Sequence, residues 1–131
     1  MNRSGLAVKQ LIEYYRPETK NIMVIHDDLD LDVGRMKVVR GGGAGGHHGV
    51  ESMVFYLKTD EFNRIKIGIG RPRNNEPIEL FVLSAPYTDQ KEIIEGVLRS
   101  AAEAVDVFIR DGVESAMATF NSRTMIESFT K

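Results

Sequence analysis

The chain has 131 residues, 42% of them hydrophobic and 27% charged, a balance that suits one globular domain and excludes wholesale disorder. It contains no Cys, which excludes a disulfide framework, a thiolate zinc site and a cysteine nucleophile. The formal net charge of −2 hides an asymmetry: residues 34–75 carry eight basic side chains against three acidic ones, between two acidic flanks, the distribution of a phosphate-binding face.

The first expected element is a helix with Ser4 as its cap, Val8, Leu11, Ile12 and Tyr15 on one face, and Arg16-Pro17 as its end. Residues 21–26 read as a strand buried on both faces, running out into the acids Asp27, Asp28, Asp30 and Asp32. Residues 35–39 read as a second strand and residues 41–49 as a glycine-rich loop. Val50, Met53, Val54 and Leu57 then fall on one face of a short helix. Residues 64–70 alternate Ile65, Ile67 and Ile69 with Arg64, Lys66 and Gly68, the pattern of a half-covered strand. An exposed loop follows over 71–77. A long helix is expected from about 88 to 110, with Ile94, Val97, Leu98, Ala101, Val105 and Phe108 inward and Gly112 as its stop. A last short helix covers about 113–121. The apolar runs are too short for a membrane span and the N-terminus has no apolar signal core, so the expectation is a soluble, cytoplasmic domain.

Three histidines lead the candidates for proton transfer, since imidazole takes and gives protons near neutral pH. His26 stands at a strand end among carboxylates, and His47 and His48 close the glycine loop. The acidic run over 28–34 fails as a calcium loop, because Val33 and Val39 take the positions where that loop needs Gly and Glu. Gly41, Gly43 and Gly46 satisfy G-x-G-x-x-G, but no acid closes the next strand, so the dinucleotide reading fails as well. What remains is a tightly turned backbone that a ligand can approach closely, flanked by cations. No metal and no cofactor are expected.

Five blocks together resemble the bacterial-type peptidyl-tRNA hydrolase family, matching its C-terminal two thirds. Residues 1–5 are similar to M-N-x-S-G, 26–31 to H-D-D/E-L-D-L, and 42–49 to a glycine loop ending G-G-H-N-G. Residues 64–72 are similar to R-L/I-R/K-I/V-G-I-G-R/H-P, and 116–121 to the terminal A-M-n-x-F/Y-N. The resemblance implies an α/β class with a mixed sheet in a three-layer peptidyl-tRNA hydrolase-like (phosphorylase/hydrolase-like) fold. It is expected as a single domain over 1–131, truncated at the N-terminus. It further implies hydrolysis of the ester between a peptidyl group and tRNA, with no metal or cofactor.

By the same resemblance, Asp27 matches the carboxylate that holds and polarises the family's catalytic His. Asn2 matches an Asn that bonds peptide and catalytic groups. Gly45, Gly46, His47 and His48 fall in the loop that meets substrate. Lys37, Arg40, Lys66 and Arg71 become candidates for the tRNA phosphate face, and residues 75–87 are similar to the lid over the peptide channel. Two departures accompany the match: the family's N-terminal part, with its catalytic His, has no counterpart, and His48 stands where the family has Asn. The expected partner is the acceptor end of peptidyl-tRNA, with self-association through an open sheet edge. Three functional readings follow: ester hydrolysis, a non-catalytic tRNA- or RNA-binding remnant, and hydrolysis with His48 recruited as a replacement base.

Overall fold

The computed structural model describes residues 4–43, 45 and 47–121. Five helices and three strands follow in order: α1 (Ser4–Tyr15), β1 (Met23–Asp28), β2 (Met36–Arg40), α2 (His48–Leu57), β3 (Asn63–Gly68), α3 (Ile78–Leu83), α4 (Lys91–Asp111) and α5 (Val113–Phe120). Short 3-10 turns occupy Thr19–Asn21 and Thr88–Gln90, so the long helix starts three residues later than its apolar pattern suggested.

The strands form one sheet in the order β1-β3-β2. Gly41 N–H donates to Phe62 C=O and Gly68 N–H to Arg35 C=O, so β2 and β3 run antiparallel, with paired residue numbers adding to a constant. Asn63 N–H donates to Ile22 C=O and Ile69 N–H to Asp28 C=O, so β1 and β3 run parallel. The sheet is mixed, as expected. β3 lies in its centre, and this corrects the half-covered strand: Asn63, Arg64, Ile65, Ile67 and Gly68 are all buried. Among the described strands β1, read as buried on both faces, lies at an edge of the sheet, the open edge expected above, and its Ile25 is 48% exposed.

The chain divides into two compact units. The first draws on the chain up to Val24 and on Val39–Arg64, the second on Ile25–Val38 and the chain from Ile65 on. In the first, α1 packs on α2, and Gly5 N–H donates to Ser52 Oγ at 3.0 Å. Val50, Met53 and Phe62 form its core, with Val8, Ile22, Val24, Val54 and Leu57 against them. The face expected for α2 is therefore the observed one. The α1 face is not, since Leu11 and Tyr15 are exposed. Contact centred on Gly5 turns the helix so that Val8 and Ile12 face inward and the other two fall outside the contact.

In the second unit the buried set is Met36, Val38, Ile65 and Ile67 from the sheet with Val97, Ala101, Ala104, Ala116 and Phe120 from α4 and α5. The buried stripe of α4 is Gly96, Val97, Ser100, Ala101 and Ala104, and Leu98, expected inward, is 51% exposed. Small residues let α4 approach its neighbours closely, and the larger leucine is left on the rim. β2 is the other edge strand, and Asn121 closes it in part. Its Oδ1 accepts from Val38 N–H at 2.7 Å and its Nδ2 donates to Val38 C=O at 2.9 Å, standing in for a peptide group of a further strand. At the end of β3, Gly68 lies under the loop after β1: a Cβ there would sit 2.1 Å from Asp32 O. A helix absent from the expected elements, α3, presents Leu80 and Leu83 to solvent.

Candidate functional site

The glycine loop is anchored at both ends. At its start Gly41 N–H donates to Phe62 C=O at 3.1 Å. At its end His47 caps α2, its Nδ1 accepting from Val50 N–H at 3.2 Å. That bond requires the His47 proton on Nε2, and it starts the helix at His48, two residues before the apolar pattern at Val50. His48 and Gly49 are therefore helical, not loop. The His48 side chain is exposed, with Nδ1 3.8 Å from a Glu51 carboxylate oxygen. His48, Glu51, Ser52, Phe55 and Tyr56 line an open depression on α2. Gly42 holds φ at +115° with open space around it, a conformation that L side chains rarely adopt.

Arg64 meets the same loop from below. It is 1% exposed, and its guanidinium donates to the carbonyls of Gly42 and Gly43 and, at 3.0 Å, of Asp60. It also lies 4.6 Å from the centre of the Phe62 ring. Burial pushes the guanidinium down from its ordinary value, and the nearby Asp60 carboxylate pulls the other way.

On the second unit's part of the sheet, the antiparallel register sets Lys37 of β2 directly opposite Lys66 of β3. Directly paired residues share a face, so the two lysine side chains leave the same face of the sheet from adjacent strands. By the parallel register of β1, His26 is the next residue in that row.

A family model described as peptidyl-tRNA hydrolase matches residues 1–128. The chain belongs to the peptidyl-tRNA hydrolase family. Its sequence is 41% identical over 121 residues to the peptidyl-tRNA hydrolase of Clostridium acetobutylicum, covering 92% of this chain and 64% of that protein. It is likewise 41% identical over 127 residues to the enzyme of that name from Desulfotalea psychrophila, covering 93% and 64%. The crystal structure of peptidyl-tRNA hydrolase from Acinetobacter baumannii superposes with a TM-score of 0.86 at 30% identity, over 95% of this chain and 63% of that one. The chain thus spans about 64% of the length of these curated relatives.

Within the family frame, the expected site residues separate into groups. Gly45, His47 and His48 lie together at the loop and the start of α2, while Asn2 and Gly46 fall outside the described residues. Asp27 belongs to the other unit, half-buried on β1. It alternates with His26, so the two side chains leave opposite faces of the strand. His26 instead donates from Nδ1 to the Asp27 backbone carbonyl at 2.8 Å. The structure brings Lys37 and Lys66 together. Arg71 is paired with Asp30, and Arg40 stands opposite Asn63 at the glycine-loop end of β2. Among the described residues no group of three or more His, Cys, Asp or Glu is placed to hold a metal, and no helix is long and apolar enough to cross a membrane.

The lid-like segment is tied at its base. Arg73 pairs with Asp89 through two bonds of 2.9 and 3.0 Å and lies over the Tyr87 ring. The Tyr87 hydroxyl donates to Glu76 at 2.6 Å. That bond lowers the Glu76 carboxyl and raises the Tyr87 phenol, and Arg73 lowers the Asp89 carboxyl. Sequence reasoning assigned no role to Arg64 or Asn121, although both sit in matched blocks. The available signals were the loop carbonyls, which need donors when turned inward, and the edge of β2, which needs a partner.

Proposed function

We propose that the chain acts on peptidyl-tRNA, hydrolysing the ester that joins the peptidyl group to the terminal ribose. Water adds to the ester carbonyl, the carbon–oxygen bond to the ribose breaks, and the peptide acid and the free tRNA hydroxyl leave. The resemblance gives Asp27 the role of the carboxylate that orients and polarises the base imidazole; the His that takes the water's proton in the family lies outside the five matched blocks. Asn2, Gly45, Gly46, His47 and His48 meet the substrate at its reacting end. No cofactor enters the scheme, and the place of action is the cytoplasm.

The observation that carries the tRNA reading is the Lys37–Lys66 pair. Like charges directly opposed on neighbouring strands are destabilising, and a phosphate bridging the two ammonium groups reverses that sign. Arg40 and Arg71 would extend the cationic surface along the nucleic acid, Arg71 by exchanging Asp30 for phosphate. Family membership and this pair support one substrate class.

The test is single-turnover hydrolysis of an N-acetylaminoacyl-tRNA, beside tRNA-binding titrations at two salt concentrations. The expected result is hydrolysis above the no-protein rate and binding that weakens with salt. Binding without turnover would favour the non-catalytic RNA-binding reading. Absence of both would overturn the assignment.

A further inference from the structure

We propose that Arg64 is a positioning residue: by holding the Gly42 and Gly43 carbonyls, it fixes the loop that leads into His47 and His48 at the start of α2, the residues set against the ester. This rests on the substrate reading above, which it deepens. Glycines at 41–43 offer no side chain by which a loop can be held, and glycine loses more backbone freedom on ordering than any other residue. Order must come from bonds to the backbone itself. Gly41 and His47 supply these at the two ends. Between them stands the Arg64 fork, whose planar donors can take adjacent carbonyls at once.

The fork is itself held rigid. Its third bond goes to Asp60 C=O at 3.0 Å, the Phe62 ring lies 4.6 Å away, and the side chain is sealed from water. Among the described residues no carboxylate is in ion-pair contact with it, although the Asp60 carboxylate lies near enough to favour the charge, so its Nη donors meet three carbonyls beside a ring and its Nε has no partner. A buried cation with no ion-paired partner is costly, and an apolar side chain of similar volume often stabilises such a site. The arrangement is therefore a poor way to build a core and a good way to shape a loop. Gly42 and Gly43 are exposed, so without Arg64 their carbonyls can turn to water. Removing the fork should loosen the loop more than it unfolds the protein.

The experiment compares the unmodified chain with Arg64→Lys, whose ammonium cannot fork in a plane, and Arg64→Met, which keeps the volume. Amide hydrogen exchange over residues 41–49 is expected to rise about tenfold in both variants, with exchange in α4 unchanged. The tRNA dissociation constant should stay the same while single-turnover hydrolysis falls about a hundredfold in Arg64→Met, the scale of a displaced reacting group. Unchanged loop exchange in Arg64→Met would overturn the clamp. A loosened loop with unimpaired hydrolysis would overturn its positioning role. If the unmodified chain hydrolyses nothing, the substrate reading fails, and the exchange data still decide whether Arg64 holds the loop. Should Arg64→Met not fold, the unmodified protein answers through NMR of the guanidinium. Slowly exchanging Nη protons with cross-peaks to the Gly42 and Gly43 α-protons are expected, and fast exchange without them would overturn the proposal.

Discussion

At the glycine-loop end of β3, Arg64 directs its guanidinium onto backbone carbonyls and is sealed from water, whereas two residues on Lys66 faces a second lysine across the sheet. Both are cations on alternate positions of one strand. The first gives both of its Nη groups to backbone carbonyls inside the fold and leaves its buried Nε without a partner among the described residues, at the cost of desolvating a charge. The second is placed beside a like charge, which the fold alone gives no reason to do. The difference separates a charge that shapes the protein from a charge held ready for something outside it. Net charge and pattern treat the two alike; only the partner of each tells them apart.

The most severe way to break this contrast is to remove the exposed pair. Lys37→Ala with Lys66→Ala is expected to weaken tRNA binding about tenfold per lysine and to flatten the salt dependence by about two ions. Folding stability should rise by a few tenths up to about 1 kcal/mol, because a like-charge pair is relieved. Salt titrations and urea unfolding check the two signs, and a drop in stability would mean that the lysines serve the fold. Asn121 comes next, since it holds β2, the strand that carries Lys37, through both polar groups of Val38. Asn121→Ala should lower stability by about 1–2 kcal/mol in urea unfolding. Asn121→Asp should do no better, because a carboxylate cannot donate to Val38 C=O.

A pH series sharpens the contrast without a mutation. Glu76 and Asp89 are lowered, the first by the Tyr87 hydrogen bond and the second by Arg73. Their contribution is therefore present above the ordinary carboxylate range and lost as pH falls through their lowered values. Tyr87 is raised by its bond to Glu76, so that bond persists below the ordinary tyrosine range and is lost as pH rises through the raised value. Protection factors over 74–87, with the intrinsic pH dependence of amide exchange removed, should accordingly fall in acid, and Glu76→Gln should blunt that response. The Gly42–Gly43 segment, held by carbonyls that do not titrate, should not follow it. The smallest effect is expected at Arg71: its pair with Asp30 is exposed on both sides, so Arg71→Ala should change stability by no more than about 0.5 kcal/mol. Thermal melts would show a larger change if the pair were anchoring the loop after β1.

Much of this architecture was legible in the chain. Periodicity placed α2 with Val50 and Met53 inward, and it located β2 and β3 within a few residues. It failed where packing chose among apolar faces. Tyr15 and Leu98 carry the right hydrophobicity, and contacts centred on Gly5 and on the small residues of α4 turned both outward. It also missed α3, where Leu80, Phe81, Val82 and Leu83 are consecutive apolar residues, so no polar face marks out a helical stripe. For the candidate site, the motif blocks identified the glycine loop, Asp27 and the cationic candidates, since these are local in sequence. They did not show which cations meet which partners.

The sequence by itself determined the family, the mixed α/β class, and the residue types available at each strand end. The α/β class and the residue types follow from short-range spacing and from side-chain chemistry that travels with the residue, while the family and its mixed sheet come from the motif resemblance. Strand order and register were decided only in three dimensions. Pairing β3 between β1 and β2 buried Arg64, and an antiparallel register set Lys37 against Lys66. Hydrogen bonding between distant segments fixes both, and a shift of one residue would have sent every one of these side chains to the opposite face.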